Sequence, residues 1–168
     1  RVDIRTLQAV IAVYLGQPDR AESELKQAIK ECKKPLRAEM QLAGHYARTK
    51  RTAEAISVCK SACERHSEVA EPWLTLADLH VANADYDSAR SCLRQGLNSV
   101  TAEGEKRSIL IRLAMLELVQ EGDRAAGISI LNEVAGQDKQ EIRARTLLLD
   151  IREVREDQAA AEKLVREL

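Results

Sequence analysis

The sequence predicts an all-α fold built from stacked helix hairpins, and three observations predict it. Strong helix formers dominate the 168 residues, while Gly (7), Pro (3) and aromatics (2%, with no Phe) are scarce. Large and small side chains alternate at helical intervals around Trp73, Leu76, Ala77 and His80, then Ala89, Leu93 and Gly96. The phrase around Ala89 also recurs: steps of 34 lead back to Ala55 and Ala21, a step of 38 leads on to Gly127, and another 34 reaches Ala161.

Five units follow, each with two helical patterns separated by a turn. The first, residues 2–35, turns at Gly16-Gln17-Pro18-Asp19 and closes at Lys34-Pro35. The second, 36–69, turns between Thr49 and Thr52. The third, 70–103, opens beside Glu71-Pro72 and turns at Asn83-Ala84-Asp85. An insertion of about four residues near Glu103–Arg107 then precedes the fourth, 108–141, which turns at Gly122-Asp123 and closes at Gly136-Gln137-Asp138. The fifth, 142–168, turns at Glu156-Asp157 and stops part-way through its second helix. Asp19, Thr52 and Asp87 are the expected N-caps of the second helices.

Antiparallel helices approach closely only where side chains are small. Ala9, Ala43 and Ala77 supply that on the first helices, and Ala21, Ala55 and Ala89 on the second. Leu42, Tyr46, Leu76, Leu93, Leu118, Leu131, Leu148 and Val165 then fill the gaps between neighbours. One unit cannot bury its apolar face alone, so stacking must supply the core.

The third unit, Trp73-x2-Leu76-Ala77-x2-His80 followed by Ala89-x3-Leu93-x2-Gly96, resembles the tetratricopeptide repeat. Ala77 stands where that family has glycine, His80 where it has tyrosine and Leu93 where it has phenylalanine; the Trp occurs in this unit alone, and the family's closing Pro in none. The resemblance covers essentially the whole chain. It implies a right-handed superhelical solenoid forming a single domain, with the first helix of each unit lining a concave inner face. On that face it places Val10, Val13 and Tyr14, then Met40, Gly44 and Arg48, then Leu74, Asp78 and Val81. Arg112, Leu116 and Val119 follow from the fourth unit, and Thr146, Asp150 and Glu153 from the fifth. Family members that clamp a chaperone C-terminal carboxylate use Lys, Arg and Asn here. Thr6, Val10, Arg37, Met40, Gly44, Leu74 and Asp78 do not form such a clamp.

Composition and motifs limit the chemistry. Basic and acidic residues balance at 26 against 27, which gives no general attraction to nucleic acid. No apolar run reaches the length of a membrane span. The sequence contains no GxxxxGK[ST], HExxH, GxSxG or GxGxxG phrase, and no cofactor is expected. His80 reads as a packed, hydrogen-bonded residue and His45 as part of a helix surface; charges such as Glu22, Arg143, Arg145 and Arg152 read as solvated faces. Arg152, in the run 151–157, replaces an apolar residue and suggests a solvent-facing or capping last unit. Cys59, Cys63 and His66 would share one face of a continuing helix and could offer three zinc ligands, although Cys59 also falls at the core position of Leu93. Cys32, Cys59, Cys63 and Cys92 form no pairing frame, which favours a reducing, cytoplasmic setting without fixing the compartment.

The function expected from these features is a non-catalytic scaffold that holds a protein or peptide segment along the concave, largely apolar face. The alternative is a regulatory or substrate-positioning arm of a larger enzyme or envelope-assembly complex. The start at Arg1 and the unfinished last unit point to a fragment of a longer array, and Leu164 with Leu168 suggest a homodimer through the C-terminal end.

Overall fold

The computed structural model describes residues 4–119, 123–137, 142–151 and 165–166. Regular structure among them is helical throughout, and the fold is an all-α helical-repeat solenoid. The helices fall into two compact units, Arg1–Val100 and Thr101–Leu168.

The first unit contains α1 (Ile4–Tyr14), α2 (Pro18–Glu31), α3 (Leu36–Arg48), α4 (Thr52–Arg65), α5 (Ala70–Ala82) and α6 (Tyr86–Ser99). Consecutive helices pack as hairpins, α1 on α2, α3 on α4 and α5 on α6. Each second helix also covers the next first helix, α2 on α3 and α4 on α5, and α3 touches α5 directly. The six register alanines, Ala9, Ala21, Ala43, Ala55, Ala77 and Ala89, are all buried. Among the described glycines, Gly96 has the tightest surroundings. A Cβ there would lie 2.7 Å from Trp73 Cγ, so the indole occupies the place of a side chain.

The turns inside the hairpins share one geometry. Gly16, Lys50 and Ala84, each 34 residues from the last, adopt left-handed φ values of 67°, 60° and 57°. In each turn the left-handed residue donates its N–H to the carbonyl three residues back, as from Gly16 to Val13 and Ala84 to Val81. The next residue donates five back, at 2.9 Å, from Gln17 to Ala12, Arg51 to Tyr46 and Asp85 to His80. These paired bonds satisfy the last carbonyls of the first helix and fix where the second begins. The N-cap positions are therefore Gln17, Arg51 and Asp85. Asp19, Thr52 and Asp87 stand one or two residues inside their helices and are not the caps expected from the sequence. Asp85 accepts from Ser88 N at 3.1 Å.

The second unit contains α7 (Glu103–Val119), α8 (Arg124–Gln137) and α9 (Ile142–Asp150), with α8 packed on both neighbours. Residues 103–107, read as an insertion ahead of Ser108, are helical. Helix α7 runs 17 residues against 13 in α5, so the longer spacing adds about one turn. Ile111, Ala114, Leu131, Val134, Ala144 and Leu148 form its core. Gly127 replaces the register alanine because a Cβ would meet the Ala114 carbonyl oxygen and Leu118 Cγ, each at 3.0 Å. Asp123 caps α8 by accepting from Ala126 N at 3.0 Å.

Three sequence readings are corrected. Arg145 lies wholly inside the protein, its Nη2 donating to the Ala135 carbonyl at 2.7 Å. His45 is buried, and burial followed by Arg48 lowers its pKa from the usual value. Val165 is exposed, so it does not contribute to the core. Arg152, Glu153, Leu164 and Leu168 lie outside the described residues.

Candidate partner-binding site

The 34-residue register places equivalent residues on α1, α3 and α5: Thr6, Met40 and Leu74; Val10, Gly44 and Asp78; Val13, Ala47 and Val81; Tyr14, Arg48 and Ala82. Val10, Val13, Tyr14, Arg48, Asp78 and Val81 are exposed, and Met40 and Leu74 are half-buried. Thr6 is buried. In the second unit Arg112 is half-buried. Leu116 stands where α5 exposes Asp78, yet it is 7% exposed; its apolar side chain packs inward and cannot anchor a partner. Val119 ends α7, and its side chain lies outside the described residues.

Beside these positions a polar hub ties the first two hairpins together. Glu22 on α2 accepts from Lys26 Nζ at 2.6 Å, from Tyr46 Oη at 3.0 Å and from Arg51 Nη1. The Arg51 guanidinium lies 4.4 Å from the Tyr46 ring centroid and also pairs with Glu54. Arg51 first, then Lys26, hold the Glu22 carboxyl down at about 2.

Three of the four thiols are inert by position. Cys59, Cys63 and Cys92 are buried, and burial pushes each up to about 12, away from the reactive thiolate form. Cys92 Sγ donates to the Trp73 carbonyl at 3.4 Å. Helix α4 ends at Arg65, and His66 leaves it at φ −131° to bring Nε2 within 3.3 Å of Glu39 Oε2. The face that would have grouped His66 with the two thiols therefore breaks at the helix end. Among the described residues no group of three or more His, Cys, Asp or Glu is placed to hold a metal ion. An open cleft of about 330 Å³ lies over Cys63, Trp73, His80 and Cys92. At its edge His80 Nδ1 stands 3.3 Å from Asp85 Oδ2.

The family model for the tetratricopeptide repeat protein 21 ARM repeat matches residues 5–161. The chain belongs to that family. Comparison with curated protein sequences gave no match. Among solved structures, the chain is similar to MamA, with a TM-score of 0.62 at 15% identity over 95% of this chain and 89% of that one. A tetratricopeptide repeat protein from Parabacteroides merdae gives 0.69 at 16% identity, over 95% of this chain and 62% of that one. A thermophilic one from Thermus thermophilus gives 0.61 at 20% identity, over 82% and 74%. At these identities the likeness shows the fold. The tetratricopeptide repeat fold is a common protein–protein interaction scaffold, and such repeats are generally non-catalytic.

The repeat register also explains what the sequence reading missed. Arg5, Glu39, Trp73, Ile111 and Arg145 occupy one register position of the first helices. Glu39 is wholly buried there, 2.7 Å from Arg65 Nη1, and Arg145 is wholly buried too. The signal was available: on a helix that a preceding helix covers, a charge at the position of a core tryptophan is buried and needs a partner.

Proposed function

We propose that the chain is a non-catalytic scaffold that docks an amphipathic helix or extended apolar segment of a partner protein. The docking face is formed by α1, α3 and α5. One observation carries the proposal: Val10 and Val81 stay exposed on this face, with Met40 and Leu74 half-buried between them. Side chains of this size on solvated helices supply contact area, and Tyr14, Arg48 and Asp78 add polar points that set register. The positions used by a carboxylate clamp hold Thr6, Val10, Arg37, Met40, Gly44, Leu74 and Asp78, and the single basic residue among them does not make a clamp for a free C-terminus. Arg112 has the same role within the second unit. The division into five repeats of a single solenoid belongs to the same proposal.

A photo-crosslinking residue at Val81 tests it, beside one at Asn98 on α6. In the source cell, Val81 should capture one partner segment, and Val10→Asp with Leu74→Asp should abolish capture while circular dichroism stays unchanged. Capture from Asn98 alone, or capture that survives the double variant, would overturn it.

A further inference from the structure

Helix α1 has a second unpartnered face, about 100° round from Val10. Ile4, Gln8 and Ile11 form a stripe at i, i+4, i+7 spacing. Ile4 is 71% exposed and Ile11 55%, while the equivalent Ala38 and His45 on α3 are 2% and 3% exposed. On α5 the same stripe is Pro72, Leu76 and Leu79, all buried. In the second unit it is Ala144, Leu148 and Ile151, again buried.

The difference has one structural origin. Helices α3, α5 and α9 are each covered by the second helix before them, α2, α4 and α8. The α1 stripe continues this repeating interface without its cover. It is also uncharged. Arg5, the lone charge on α1, is taken up inside its own hairpin by Glu24 at 3.1 Å and Glu31 at 2.8 Å.

We infer that the Ile4–Gln8–Ile11 stripe is a docking surface for the second helix of another repeat unit, seated as α2 sits on α3. The occupant presents a strip of small apolar side chains. Helix α4 presents such a strip to its neighbours, with Ala55, Cys59 and Ala62 fully buried. Large aliphatic residues on α1 against small ones on the incoming helix give the volume match that close helix packing needs.

The test extends the full chain by a second copy of residues 52–68 placed directly before Arg1. This reproduces the spacing at which α4 precedes α5. Amide exchange of α1, read by mass spectrometry under reducing conditions, should slow by about tenfold or more. Ile4→Asp with Ile11→Asp should cancel that protection; Ile11→Gln, a milder change, should reduce it. Both residues are exposed, so the unextended variants should keep their helicity. Unchanged exchange in the extended chain, or protection that survives Ile4→Asp with Ile11→Asp, would overturn the inference. So would sedimentation showing that the unextended chain dimerises through this stripe, because a second copy would then be the occupant.

Discussion

Glu39 and Arg65 repeat, with the charges exchanged, an ion pair made one unit earlier. Arg5 Nε meets Glu31 at 2.8 Å, and 34 residues later Arg65 Nη1 meets Glu39 at 2.7 Å. The fold fixes the place of the contact and tolerates either polarity. The two members of the later pair are unequal, since the Glu39 side chain is fully buried and that of Arg65 is 47% exposed. Arg65→Met strips a buried carboxylate of its arginine and should destabilise by about 3 kcal/mol or more. Glu39→Met leaves Arg65 free to turn into solvent and should be near neutral or stabilising. Urea titration of the two variants checks the asymmetry, and equal losses would contradict it.

Gly96 is held to glycine by Trp73. An added Cβ would lie 2.7 Å from Trp73 Cγ and 2.8 Å from Trp73 Cβ, and a Cβ is fixed to its backbone and cannot swing away. Gly96→Ala should cost about 1–3 kcal/mol. In the background Trp73→Ala, which removes Cγ and the ring and leaves Cβ as the remaining contact, the same change should cost less. The coupling is read from a double-mutant cycle by denaturant unfolding; additive costs would show that the clash is relieved elsewhere.

The helix pattern, the small-residue register and the family were legible because each rests on spacing. Ala9, Ala43 and Ala77 recur at 34 residues and all are buried. Side-chain environment was less legible, because polarity was read without register. In the sequence Arg145 reads as a solvated charge and Glu39 is not singled out, yet both occupy the Trp73 position and are buried. Leu116 failed in the opposite direction: its register position suggested an accessible anchor, but a leucine there packs inward. The N-caps were misplaced by one to two residues because the left-handed residue, rather than the nearest Asp or Thr, sets the start of each second helix. The stripe on α1 could not be seen in sequence, since Ile4 and Ile11 become distinctive only when the covering of α3 and α5 is known.

The left-handed turn position gives a stability series. Gly16 adopts it without strain, whereas Lys50 and Ala84 carry a Cβ at φ near 60°. Left-handed backbone costs an L-residue about 1–2 kcal/mol, partly offset by the unfolded-state entropy that glycine adds. Lys50→Gly and Ala84→Gly should therefore each raise the melting temperature by about 2–4 °C per kcal/mol regained. Gly16→Ala should lower it, and because nothing lies within 4 Å of the added Cβ, that loss would be backbone strain alone. Calorimetry of the three variants should show opposite signs; a drop in all three would mean the turn side chains make compensating contacts.

Acid stability should depend on Glu22. Its carboxyl is held at about 2, against an ordinary value of 4.5, chiefly by Arg51 and then by Lys26. The folded protein thus binds the Glu22 proton less readily than the unfolded chain. The stabilisation is fully present above pH about 4.5 and is lost as the pH falls toward about 2. The hub links α2 to α3 and the following turn, so protonation should loosen the packing of the first two hairpins together. Glu22→Gln removes the titration but keeps the hydrogen-bonding shape. Its stability at pH 7 should be lower than that of the parent chain, and the gap should close as the pH is brought down to about 2. Urea midpoints at a series of pH values measure this directly. Parallel curves for the two proteins would mean that Glu22 is paired to the same extent in the unfolded chain.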